Sequence, residues 1–195
     1  MKKVITIFFS YIFLTLGLYA AEEGKFRGGI EVGYSPMDIG AEDTAQAIAN
    51  ASGSSVTVTY DKGLFAGRVF ADYGFTPNLG VEVGYFKTTS VDATYKIGAN
   101  SASESYSASG LDISGVLSHE SGFYGKLGMH SSNVSGAATV TIGGTSYTAT
   151  GDADGTGTLF GAGYEKNNIR YAITRYNDLG GVGSYATLFS VGVAF

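Results

Sequence analysis

From Phe26 onward the chain alternates between apolar and polar positions with a period of two. Phe26, Gly28, Ile30, Val32 and Tyr34 share one parity, and Arg27, Gly29, Glu31 and Gly33 share the other. The pattern returns seven times: Phe65 to Tyr73, Leu79 to Phe86, Leu111 to Leu117, Phe123 to His130, Phe160 to Glu165, Ile169 to Thr174 and Tyr185 to Phe195. Such alternation marks a strand with one apolar and one polar face. Eight segments, each close to the roughly 9–11 residues that cross a bilayer at a tilt, predict an all-β fold, an eight-stranded antiparallel up-and-down transmembrane β-barrel.

The connections sort by parity. Those after the second, fourth and sixth segments are short: Gly74 to Asn78, His119 to Gly122 and Lys166 to Asn168. Those after the first, third and fifth are long, about Ser35 to Gly63, Thr88 to Ser103 and Ser131 to Gly155, and are rich in Ser, Thr, Ala, Gly and Asp. They read as polar surface loops. A membrane barrel has short turns on one side and long loops on the other, whereas a soluble sandwich has no reason to sort its loops this way.

Charge follows the same rule. Arg27, Glu31, Arg68, Asp72, Glu82, Asp112, Lys126, Glu165 and Arg170 all fall on the polar parity. A Lys or Arg on the lipid face at mid-membrane costs about 2–4 kcal/mol, so these residues are expected to line a lumen. Residue counting from the turns sets Arg68, Glu82, Asp112 and Lys126 near mid-height. Lys87 and Arg175 break the parity, but both stand near the long-loop end of a strand. The last segment alternates to its end through Tyr185, Phe189, Val191, Val193 and Phe195, like the C-terminal signal read by the barrel-assembly machinery.

Before the alternation begins, Lys2 and Lys3 precede an apolar run from Val4 to Leu18 and then Tyr19-Ala20-Ala21. That order reads as a cleaved signal peptide over residues 1–20, with a barrel domain over 21–195. The run is shorter than the about 20 residues of a membrane-spanning helix. Composition adds little but agrees. The 195 residues include 30 Gly, 14 Tyr, 12 Phe and no Trp or Cys, which excludes disulfides and thiolate metal sites. A net charge of −5 without a Lys/Arg cluster argues against nucleic-acid binding.

Three stretches resemble the transmembrane domain of the OmpA/OmpX-like outer-membrane barrels: Tyr73-Gly-Phe-Thr-Pro-Asn-Leu-Gly-Val-Glu-Val-Gly-Tyr85, Phe123-Tyr-Gly-Lys-Leu-Gly128, and Phe160-Gly-Ala-Gly-Tyr-Glu-Lys166 with Ile169 to Tyr176. The resemblance implies the Gram-negative outer membrane, contact with its lipids and lipopolysaccharide, and a structural, surface-interaction or adhesin-like role through the long loops with an extracellular ligand. No peptidoglycan-binding domain is expected after the last strand. An alternative is a narrow ion-conducting, porin-like barrel, with inward Gly84, Gly128, Gly161, Gly163 and Gly192 leaving room for water. A further alternative rests on His130-Ser131-Ser132-Asn133, which resembles the His-x-Ser-Asn motif of the PagL lipid A deacylases. A His beside a Ser hydroxyl can activate it as a nucleophile. However, the parity turns His130 toward the lumen, away from a lipid substrate, so no enzyme activity is expected. No cofactor or metal is expected either, since Asp152 and Asp154 alone make no specific cation site.

Overall fold

A computed structural model of the chain describes residues 24–37 and 39–195. The leader assigned to residues 1–20 lies outside the described residues. The elements in chain order are β1 (Phe26–Pro36), α1 (Ala41–Ser52), β2 (Thr57–Tyr60), β3 (Gly63–Gly74), β4 (Leu79–Thr88), β5 (Val91–Ile97), β6 (Asn100–Ser118), β7 (Phe123–Ile142), β8 (Thr145–Lys166), β9 (Ile169–Leu179) and β10 (Ser184–Ala194). Eight of the strands pair antiparallel around a ring in the order β1, β3, β4, β6, β7, β8, β9, β10, and β10 returns to β1. The ring is therefore a closed barrel, which leaves no unpaired edge within it.

Closure runs to the end of the chain. Glu31 pairs with Gly192 and Tyr34 with Phe189 across the β1–β10 seam. Phe195 and Gly28 exchange backbone hydrogen bonds of 2.7 and 2.9 Å. At the short-turn end, Asn167 and Asn168 both take positive φ, 51° and 65°, between the paired residues Lys166 and Ile169. That geometry suits a two-residue hairpin turn, and Asn tolerates it better than most residues.

The apolar parity faces outward. Phe26 is 80% exposed, Leu127 70% and Leu117 65%. Aromatic contacts lie toward both ends of this surface. Phe26 meets Tyr73 at 4.6 Å and Phe123 meets Tyr164 at 5.1 Å near the short turns, while Tyr34 meets Phe65 at 5.2 Å near the long connections. Arg175, one of the two parity-breaking cations, lies 4.0 Å over the Tyr185 ring.

The three long connections differ from the polar loops expected. β7 and β8 run on together to Ile142 and Thr145, joined by Gly143 and Gly144 at φ of 58° and 84°. The extension is held by backbone ladders and by hydroxyl pairs such as Thr139–Thr148 at 2.9 Å and Thr141–Ser146 at 2.8 Å. β6 begins at Asn100, so most of the expected third-strand loop is a β5–β6 hairpin, with β2 added beside β5. The first connection also holds α1. Its Ala41 and Ala45 pack on Ala93 and Tyr95, and its C-terminal Gly53 takes φ of 64° and donates to Ala49 O. Beside it, burial and the Glu104 carboxylate push the Tyr95 hydroxyl up to about 12.

Candidate functional site in the barrel lumen

The polar parity points inward, and its charges form one network. Arg27 on β1 binds Asp72 on β3 through Nε at 3.1 Å and Nη2 at 2.7 Å, and pairs with Glu165 on β8. Arg68 on β3 makes a two-pronged contact with Asp112 on β6, at 2.9 and 2.6 Å, and reaches Glu82 on β4 at 2.8 Å and Glu31 on β1 at 3.5 Å. Lys126 on β7 lies 3.4 Å from Glu82. Arg170 on β9 joins the two groups: it pairs with Glu82, and also touches Glu165 at 3.1 Å, Glu31 at 3.4 Å and Asp72 at 3.6 Å. All nine charged residues singled out by parity thus meet in the lumen, five carboxylates facing four cations.

Isolated charges at such depth would be very costly, and pairing with hydrogen bonding offsets most of that cost. Glu82 is 0% exposed, yet three cations contact it. Planar Arg side chains suit this role because each can serve several carboxylates at once.

Aromatic rings complete the layer. Phe70 lies beneath two guanidinium groups, 4.4 Å from Arg170 and 5.4 Å from Arg68, and Tyr124 lies 4.8 Å from Arg170. The alternation placed Phe70 and Tyr124 on the charged parity without assigning them a role.

Three of the inward glycines sit against large charged or aromatic side chains. A Cβ at Gly84 would sit 2.5 Å from the Arg68 guanidinium, and one at Gly192 would sit 2.6 Å from Glu31 Cγ. At Gly163 it would meet the Tyr124 ring at 2.4 Å. At these positions large side chains from adjacent strands occupy the space. The buried hydroxyls of Ser114, Tyr124 and Thr174 have no partner among the described residues and can each bond an ordered water in the lumen.

The remaining candidates lie elsewhere. His130 is buried, with Nε2 2.8 Å from the Asn177 carbonyl, and Ser132 Oγ accepts the Gly180 N–H at 3.0 Å. Each side chain is engaged with backbone rather than with the other. Asp154 accepts a hydrogen bond from Asn133 at 3.0 Å, and among the described residues no cluster of His, Asp or Glu has metal-binding geometry. Tyr185, Phe189 and Val191 face outward on β10, with Val193 and Phe195 partly covered.

Above the charged layer, at the long-connection end, the lumen turns apolar. Phe86, Ala108, Leu159, Tyr176 and Leu179 form one cluster and Leu64, Ala66, Val91 and Leu188 another. All of these but Leu159 border a cavity of about 420 Å³. A second cavity, about 270 Å³, lies at the short-turn mouth beside Arg27, Asp72 and Glu165.

Fold and lumen together define a closed eight-stranded barrel with an apolar exterior and an ion-paired interior. Among solved structures, the chain is similar to the attachment invasion locus protein Ail of Yersinia pestis, solved with the heparin analogue sucrose octasulfate. That match has 13% identity over 89% of this chain and 99% of that one, with a TM-score of 0.49. It is similar to the outer membrane protein OprG of Pseudomonas aeruginosa at 13% identity, over 92% and 99% of the two chains, with a TM-score of 0.42. It is similar to the N-terminal β-barrel domain of Pseudomonas aeruginosa OprF at 16% identity, over 89% and 100%, with a TM-score of 0.37. No family model and no curated protein matches the sequence.

Proposed function

We propose that this chain is an integral outer-membrane barrel that acts as a structural and surface-interaction protein. Its outward band of large apolar side chains, set against an ion-paired layer in the lumen, carries this reading. A soluble protein rarely leaves a contiguous apolar surface of this kind open to water, whereas a bilayer covers it. The long-connection end, with α1, the β2–β5–β6 sheet and the β7–β8 hairpin, would then stand outside the cell and offer the surface for an extracellular ligand. Lipopolysaccharide and outer-membrane lipids would surround the belt, and the outward residues of β10 would serve recognition by the assembly machinery.

The test is direct. The purified chain should require detergent or lipid to stay in solution and should migrate differently on a gel before and after boiling. A protein soluble without detergent that shows no heat-dependent shift overturns the reading. The ion-conducting alternative gains no support from the lumen, where Arg170, Glu82 and Arg68 bridge the walls. Planar-bilayer steps that survive purification would restore it. The deacylase alternative lacks the His–Ser contact it needs, and an unchanged lipid A acyl pattern on expression would close it.

A further inference from the structure

We propose that the apolar cavity above the charged layer binds a neutral, chain-like apolar small molecule and holds it there without passing it through the barrel. Small barrels of this strand number are ordinarily filled by their own side chains. Here Ala66, Ala108 and Ala186, with Gly136 and Gly151, leave a space of about 420 Å³. That falls within the roughly 300–1,000 Å³ of small-molecule sites. Its floor is the ring pair Phe86 and Tyr176, 4.8 Å apart.

Several polar atoms at the wall are already engaged. Thr88 Oγ1 accepts the Ala108 N–H at 2.8 Å, Ser184 Oγ donates to Leu179 O at 3.0 Å, and the Tyr176 hydroxyl donates to Asp112 at 3.3 Å. Water needs two to four polar partners to settle in a cavity, so an apolar guest meets little competition. Charge selects further. Among the described residues no Lys, Arg or His lines the cavity. The one carboxyl among them, Asp152, stands on β8 between Gly151 and Ala153, on the opposite parity from the wall. A carboxylate or phosphate headgroup would find no counter-charge. Below the floor, the Arg68–Asp112 and Arg170–Glu82 pairs close the way down. At the rim, Met37 and Val182 are apolar, and Met37 can adapt to different guests.

The test uses the full chain in lipid nanodiscs free of detergent, with labelled methyl groups read by NMR. Decanol, decanoate and decylammonium are titrated in parallel. Decanol should give saturable shifts at Leu64, Val91 and Leu188 and none at outward Leu127 or Leu117. Decanoate and decylammonium should bind about tenfold more weakly or worse, a loss comparable to roughly two buried methylenes. Ala108→Leu and Val134→Phe, both at residues that line the cavity, should abolish the saturable shifts while keeping the heat-dependent gel shift of a folded barrel. If Ala108→Leu fails to fold, Val134→Phe decides. Equal shifts at Leu127, decanoate binding as tight as decanol, or binding that survives in a folded Val134→Phe variant would each overturn the proposal.

Discussion

Arg170 and Glu82 form an ion pair between β9 and β4, strands that stand opposite each other in the eight-membered ring. No ladder hydrogen bond joins those strands, so this contact ties the walls across the lumen rather than along them. Removing the guanidinium would leave Glu82 buried with Arg68 and Lys126 only. Arg170→Met is expected to destabilise the folded barrel by about 3–5 kcal/mol, the range for breaking a buried pair. Urea unfolding in lipid vesicles measures it. A loss below about 1 kcal/mol, the level of a surface pair, would show that the network contributes little.

Gly84 and Gly67 offer a matched comparison. A Cβ at Gly84 runs into the Arg68 guanidinium at 2.5 Å, whereas nothing lies within 4 Å of one at Gly67. Gly84→Val should cost about 1–3 kcal/mol as an overpacked interior position. Gly67→Val, on the outward face, should stay within about 0.5 kcal/mol of the parent. Equal effects would mean that the inward glycines are not shaped around their charged neighbours.

The two faces of β7 should respond oppositely to charge. Leu127 is exposed on the outside while Lys126, one residue earlier, is buried against Glu82. Leu127→Arg is expected to cost about 2–4 kcal/mol in a bilayer. Lys126→Arg keeps the charge in the lumen and should cost less. Equilibrium unfolding of both variants from the same vesicles compares them, and the reverse order would contradict the assigned faces.

The β7–β8 extension should be separable from the barrel. Its ladder beyond Val134 and Ala153 pairs only these two strands with one another and with β6. Replacing residues 137–150 by a short Asn-Gly turn should leave the heat-dependent gel shift intact. Loss of the folded band would mean that the outer sheet is needed for closure.

The fold was legible because a barrel writes its two faces into alternate residues. Arg68, Glu82, Asp112 and Lys126 were found by parity alone, since inside and outside differ so strongly in solvation. The outer elements were harder to read. Ser, Thr, Ala and Gly in the β7–β8 extension resemble loop composition, and with water on both faces they need no apolar parity. The Gly143–Gly144 pair between Ile142 and Thr145 was the hairpin signal there. Helix α1 was masked in a similar way. Only Ala41 and Ala45 are buried, too few to stand out as a stripe, although Gly53 marks its end. Phe70 lies on the charged parity, but its contact with two Arg residues depends on strand register, which one strand's sequence does not contain.

The central claim is that a bilayer covers the outward band while the hairpin stands in water. The chain contains no Trp, so single Trp substitutions report cleanly. Leu127→Trp and Ile113→Trp should be quenched strongly by lipids brominated along the acyl chain, and Tyr147→Trp, near the hairpin tip, should instead be quenched by aqueous iodide. Iodide quenching at Leu127 and Ile113 with no effect of brominated lipid would contradict the account.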